Sequence, residues 1–319
     1  MKAGQILFVL CMFSRTAFGT PVNIPPDAKS AGEWYIYSGE DTPFCYNESE
    51  PCGTSKWRGL CNAANSRRQS PIELHVNLQD YFNELVPSNY DFRMSDAYGD
   101  EFTSFYMQND GHSIQLSLLE SESKKLQISY DSEGKHLYQF FRVHFHWGAT
   151  NDGGSEHRVK GSSNYVMEMH VVHWSLKYES LEQALEAVED PESVSVIGVF
   201  VELCKAKQES AFGQILKHVE TVGNLPSEES ALIAQPLSLR PFFPKKSLDH
   251  FSYQGSLTSP GCAEAVKWTV MEESICINQE ELDAFRKVQT HESRPLDRNH
   301  RPVQAVGDRQ IHFHRVFMH

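Results

Sequence analysis

Arg142-Val-His-Phe-His-Trp-Gly148, with Tyr165-Val-Met-Glu-Met-His-Val-Val-His-Trp174 further along, decides how this chain is read. Both stretches are rich in β-branched and aromatic residues and predict strands. Side chains alternate along a strand, so His144 and His146 leave the same face, and His170 on a neighbouring strand can close a cluster of three imidazoles. Such a cluster fits Zn2+ and leaves one tetrahedral position for water, the arrangement of a catalytic site rather than a closed structural one. The chain carries 15 histidines, so accidental pairs are expected. His312-Phe-His314, near the C-terminus, reads as one of these. His75, His136, His218, His250, His291 and His300 have no patterned neighbours and read as surface or core residues.

What surrounds the cluster follows from composition. Residues 1–19 combine Lys2, the apolar run Gln5-Ile-Leu-Phe-Val-Leu-Cys-Met-Phe13 and the small-residue end Ala17-Phe-Gly19, which predicts a secretory signal peptide. The run is too short to span a bilayer, and no apolar stretch of about eighteen residues occurs elsewhere. No hydrophobic tail closes the chain, so a membrane anchor is not expected, and the protein reads as secreted and extracellular. The chain holds 29 basic and 42 acidic residues; losing Lys2 and Arg15 with the leader takes the formal charge from −13 to −15. Such a field repels phosphate backbones, which argues against nucleic acid as a partner. No repeat or low-complexity linker interrupts residues 57–311, and one domain over 20–319 is expected, with its core at about 34–311 and a Cys-containing insertion near 40–56. Oligomeric state is not legible.

Six cysteines follow the leader: Cys45, Cys52, Cys61, Cys204, Cys262 and Cys276. In an oxidising compartment an even count predicts disulfides, and spacing leaves all fifteen connectivities open. None has Cys-x-x-Cys spacing, which disfavours a cysteine zinc site. Asn47-Glu-Ser49 is the one glycosylation sequon, in a polar stretch between two cysteines.

The elements are mostly strands, at 113–119, 125–130, 138–147, 164–174, 193–203 and 265–271, with turn signals at Asn109-Asp-Gly111 and Asn151-Asp-Gly-Gly154. Helical patterns are short. One runs over 180–189, opened by Ser180; a second covers 212–222; a third begins behind the cap Asn278 and runs toward Val288.

Several motifs together resemble the α-class carbonic anhydrases of the secreted type: Gln69-Ser-Pro-Ile72, Asn109-Asp-Gly-His112, His144-Phe-His-Trp-Gly148, Gly154-Ser-Glu-His157, Glu168-Met-His170, His173-Trp174 and Ser256-Leu-Thr-Ser-Pro260. Matching segments extend from Trp34 and Tyr37-Ser-Gly39 to Asn299-His-Arg-Pro302 and Arg309-Gln-Ile311. The resemblance implies a mainly β (α+β) fold: one twisted, mostly antiparallel central sheet of about ten strands, a few short surface helices, and a cone-shaped cavity over the metal. It also implies zinc-dependent reversible hydration of carbon dioxide to bicarbonate and a proton, by zinc-bound hydroxide, with ester hydrolysis as a side activity of the same site.

Roles carried over from the resemblance fall on particular residues. Thr258 matches the gatekeeper that accepts from the nucleophile and donates to a buried carboxylate, and Glu156 matches that carboxylate. His112 matches the proton shuttle, and Tyr37 the tyrosine that helps order its water chain. Val172, Val196, Leu257, Val266 and Trp268 match the apolar wall for carbon dioxide, with Ser259 beside them. Glu168 matches the acceptor behind His170. Cys61 and Cys262 match the disulfide of secreted members. Cys45 and Cys52 are then candidates for a local bridge, and Cys204 and Cys276 for a third.

Two residues depart from the pattern. Arg142 stands where a glutamine usually backs His144, and it can only donate. It is expected to turn toward an acid while water or a carbonyl takes the His144 proton. Asp110 stands where the family often has an amide, and an ionised carboxylate there should raise the shuttle's pKa. A non-catalytic binding or scaffold protein is the competing reading, since relatives without zinc ligands exist; here all three ligands, Glu156 and Thr258 are present.

Overall fold

The computed structural model describes residues 44–75, 90–131, 133–161, 165–187, 189–206, 208–225 and 229–316. The leader 1–19, Trp34 and Tyr37 lie outside these residues. In chain order the strands are β1 (Glu73–Leu74), β2 (Tyr90–Met94), β3 (Phe105–Asn109), β4 (Ile114–Leu118), β5 (Gln127–Asp131), β6 (Leu137–Trp147) and β7 (Arg158–Val159). There follow β8 (Met167–Ser175), β9 (Val194–Leu203), β10 (Ser230–Ile233), β11 (His250–Gly255), β12 (Val266–Met271), β13 (Ile275–Ile277) and β14 (His312–His314).

Twelve strands form one sheet in the order β10-β3-β4-β6-β8-β9-β12-β11-β14, with β5 on β6, β2 on β5 and β13 on β9; β1 and β7 pair separately. Within the sheet every pairing is antiparallel except β9 with β12 and with β13. The expected count of about ten is therefore corrected to twelve. β13 and β14 have three residues each, too few to show a two-residue period, and only their partners β9 and β11 make them strands.

Alternation along the central strands gives the sheet two different faces. On β6 and β8, Val143, Phe145, Trp147, Met167, Met169 and Val171 enter the main apolar cluster, and all are buried. Their neighbours His144, His146, Glu168, His170 and Val172 therefore face the other way. Each fully buried large apolar side chain contributes about 1.5–3 kcal/mol relative to exposure, so the register that aims the histidines is fixed by the residues behind them. A bulge in β6, where register shifts between Phe140 and Arg142 against β8, lies just upstream of His144.

The helices are α1 (Glu120–Ser123), α2 (Leu181–Glu186), α3 (Leu216–Val222) and α4 (Gln279–Phe285). Ser180 caps α2 by accepting from the Gln183 N–H, and Glu281 accepts from the Asn278 N–H at the start of α4 at 2.9 Å, as capping chemistry predicts. The expected 212–222 helix is broken into a 3-10 turn at Phe212–Gln214 and α3. Disulfides join Cys45 to Cys52, Cys61 to Cys262 and Cys204 to Cys276. Among the described residues no helix is long and apolar enough to cross a membrane.

Candidate metal centre and active site

His144 on β6 stands directly opposite His170 on β8, and His146 opposite Glu168. This register gathers the nitrogens of His144, His146 and His170 within 4.8 Å of one another. Two of the rings are oriented by acceptors on their outer nitrogens. His146 Nδ1–H donates to the Asn299 carbonyl at 2.8 Å, and His170 Nε2–H donates to Glu168 Oε1 at 2.8 Å. Each hydrogen bond fixes a tautomer and leaves the other nitrogen with a lone pair facing the cluster. His146 Nε2 is buried there without a hydrogen-bond partner. Burial, above all, holds the His144 and His146 imidazoles well below their usual pKa, with the neighbouring imidazoles adding to it. Converging nitrogens, two of them on rings that burial keeps neutral, suit a divalent metal, and the all-imidazole donor set suits zinc.

Glu168 is the centre of the support. Its carboxylate also accepts from His157 Nδ1 at 2.7 Å and from the His157 backbone N–H at 2.8 Å. Burial alone would push this carboxyl up, but the facing His157 and His170 outweigh it and hold it well below the usual range. Room for it comes from Gly198, which pairs with His170 on β9; a Cβ there would lie 2.9 Å from Glu168 Oε1. Neither Gly198 nor the Asn299 carbonyl announces itself in the sequence, since both act through tertiary proximity alone.

His144 lacks the equivalent support. Its Nδ1 is buried and has no partner. Arg142, two residues earlier on the same face, donates through Nη1 to Gln115 Oε1. Gln115 in turn donates through Nε2 to Asp110. The partner that the structure describes for Arg142 is thus an amide and not an acid, and no carbonyl among the described residues accepts from His144 Nδ1. An amide intervenes between Arg142 and the acid, because Gln115 lies beside β6 in register with His144 itself.

The cluster sits in a cavity of about 80 Å3 lined by His112, Val172, Val196, Leu257, Thr258, Ser259 and Trp268, together with Phe44 and Tyr46. Val266, two residues before Trp268 on β12, is not among the residues that line this cavity; it packs in the same apolar cluster as Val172, Val196 and Trp268. Among the described residues the tyrosine that lines the cavity is Tyr46; Phe44-Cys-Tyr46 lies inside what reads as an insertion, so no motif marks it, and Tyr37 lies outside the described residues.

Glu156 and Thr258 lie beside the cluster. Glu156 Oε1 accepts from the Arg301 N–H at 2.7 Å, and Oε2 lies 3.4 Å from His146 Nε2. Burial pushes the Glu156 carboxyl up, while His170, the Thr258 hydroxyl and the Arg301 N–H pull it back. Arg301 also donates to the Gln69 side chain, the Ser70 carbonyl and the Cys61 carbonyl at 2.7–3.0 Å. One arginine therefore ties Glu156 to the Gln69-Ser-Pro71 segment and the Cys61–Cys262 bridge that anchors the Thr258 loop.

His112 ends the β3–β4 turn, where Asp110 Oδ1 accepts from the His112 and Ser113 N–H groups at 2.9 and 2.6 Å. Its half-buried ring stacks on Phe44 with centroids 3.8 Å apart. Burial lowers its pKa, and Asp110 and the carbonyls of Phe44 and Asp110 oppose that without reversing it. Asp110 raises it, as expected, but burial outweighs that contribution and the net shift is downward. Asn47 is exposed, its side chain turned onto Ser49 and Glu50.

A large, mostly antiparallel sheet carrying three converging imidazoles at the foot of a half-apolar cavity defines a β-sheet protein with a candidate metal centre. Residues 52–315 match the eukaryotic-type carbonic anhydrase family, and the chain belongs to that family. It is 32% identical over 273 residues to a putative carbonic anhydrase 3 of Caenorhabditis elegans, covering 84% of this chain and 96% of the relative. It is 30% identical over 305 residues to carbonic anhydrase 15 of Mus musculus, covering 91% of this chain and 86% of that protein.

Proposed function

We propose that the chain is a secreted carbonic anhydrase that reversibly hydrates carbon dioxide to bicarbonate and a proton, with zinc held by His144, His146 and His170. The observation that carries the reading is the convergence of three imidazole nitrogens in a cavity whose other wall is apolar. Zinc, when bound there, makes a water molecule acidic enough to act as a nucleophile near neutral pH.

The chain's own residues then do three things. Glu156, filled on Oε1 by the Arg301 N–H, takes the single Thr258 hydroxyl proton, so Thr258 can only accept from the nucleophile and turns its lone pair toward substrate. Val172, Val196, Leu257 and Trp268 offer carbon dioxide a surface without competing hydrogen bonds. His112 removes the proton, and Tyr37, or Tyr46 on the cavity wall, orders the water that leads to it. The leader at 1–19 and a glycan on Asn47 belong to the same proposal.

The test is zinc content and stopped-flow hydration of the purified protein, with and without chelator, beside His146→Ala. Stoichiometric zinc and activity lost in both treatments are expected. Protein without zinc, or a variant as active as the parent, refutes the reading.

A further inference from the structure

His112 belongs to two cavities. Besides the one over the histidine cluster, it lines a second, of about 560 Å3, bounded by the Cys45–Cys52 loop and the 290–298 segment. The exposed ring of His291 stands in that second cavity with its centroid 5.2 Å from that of His112, the two planes at 61°. Gly111 permits the approach: its φ is +78°, and a Cβ there would lie 2.4 Å from His291 Cδ2 and Nε2. The segment carrying His291 is moored to the disulfide loop by Arg294, which donates to both carboxylate oxygens of Glu50 at 3.2 Å.

Each nitrogen of His112 faces a carbonyl, Nε2 that of Phe44 at 2.8 Å and Nδ1 that of Asp110 at 3.3 Å. A neutral imidazole can donate to only one of them, whereas the protonated ring satisfies both. The site is thus built to hold a proton arriving from the inner cavity, and the neighbour on its outer side is another imidazole.

We infer that His291 is a second relay residue, taking the proton from His112 and releasing it to solvent through the outer cavity, so that proton and bicarbonate leave by different routes. One N–H bond breaks on the His112 imidazolium and one forms on His291, directly or across a bridging water, and the positive charge moves with it. The charged groups facing the pair are Asp110 on the β3–β4 turn, Glu50 on the disulfide loop, and Glu292, Arg294, Asp297 and Arg298 on the outer segment. The outer carboxylates pair with arginines, Glu50 and Glu292 with Arg294 and Asp297 with Arg298. Burial and the facing His291 both lower the His112 pKa, which favours the outward transfer.

This inference rests on the proposed hydration activity. The experiment is His291→Gln, assayed in dilute and in concentrated imidazole-type buffer, with an NMR titration of the His112 ring in zinc-free protein. Expected are a fall in kcat of roughly three- to tenfold in dilute buffer, unchanged kcat/KM, recovery in concentrated buffer, and a raised His112 pKa. A kcat in dilute buffer equal to the parent's overturns the relay while leaving the hydration reading intact. A fall that concentrated buffer does not restore also overturns it, since that marks a structural role. A parent protein without zinc-dependent hydration removes both.

Discussion

Replacing Arg142 by glutamine should tighten zinc binding. Zinc on Nε2 of His144 places the ring proton on Nδ1, and that atom is buried without an acceptor. A buried donor left unmet costs about 1–3 kcal/mol, and about 1.4 kcal/mol is tenfold in affinity. Glutamine at 142 would present its carbonyl from two residues upstream on the same face of β6. Glu168 already serves His170 from that spacing, at 2.8 Å. Loss of a guanidinium beside a dication acts in the same direction. The expected zinc Kd is therefore about 10- to 100-fold lower in Arg142→Gln, measured by competition against a chromophoric chelator at fixed pH. Arg142→Ala, which removes the charge without supplying an acceptor, should give the smaller part of that gain. A Kd for Arg142→Gln within about twofold of the parent would refute the argument, because it would mean that His144 finds its acceptor without residue 142.

Acid should unfold the protein in a window set by buried histidines. Burial lowers His173, His250 and His314 to about 3, 4 and 3. Unfolded histidine takes its proton near pH 6.5, so below that the unfolded chain binds more protons and stability falls, by about 1.4 kcal/mol per pH unit for each ring, until the folded rings titrate. Urea midpoints from pH 7 to 4.5 should decline steadily, and a flat series contradicts the assignment. Cys61→Ala/Cys262→Ala opens a loop of 201 residues and should cost about 5 kcal/mol by chain entropy, less if the open form retains structure; an unchanged Tm rules this out. Tyr46→Phe should lower kcat in dilute buffer severalfold with little change in kcat/KM, and Tyr37→Phe assayed beside it decides which phenol serves the cavity.

Much of the site is legible because its chemistry is local in sequence. His144 and His146 are two apart on one strand, and so are Glu168 and His170, so alternation alone aims each pair. The caps at Ser180 and Asn278 are legible for the same reason. What stays hidden acts across the fold. The Asn299 carbonyl reaches His146 from a loop 153 residues away, and a backbone oxygen has no sequence signature. Val194 and Val196 are alike as apolar strand residues, and only the register of β9 with β12 sets Val196 beside Trp268 in the cavity wall. Tyr46 and Phe44 are concealed in a cysteine loop whose docking over His112 no periodicity predicts.

By itself, then, the sequence determined the metal-binding residue types, the strands that carry them and the oxidisable cysteines, because periodicity and spacing are properties of neighbouring residues. The tertiary structure decided that no described residue accepts from His144 Nδ1, that Arg142 pairs with Gln115, and that His112 is shared by two cavities with His291 on its far side. Those outcomes depend on which atoms remain within about 3 Å once every strand has taken its register, and that is a property of the packed whole.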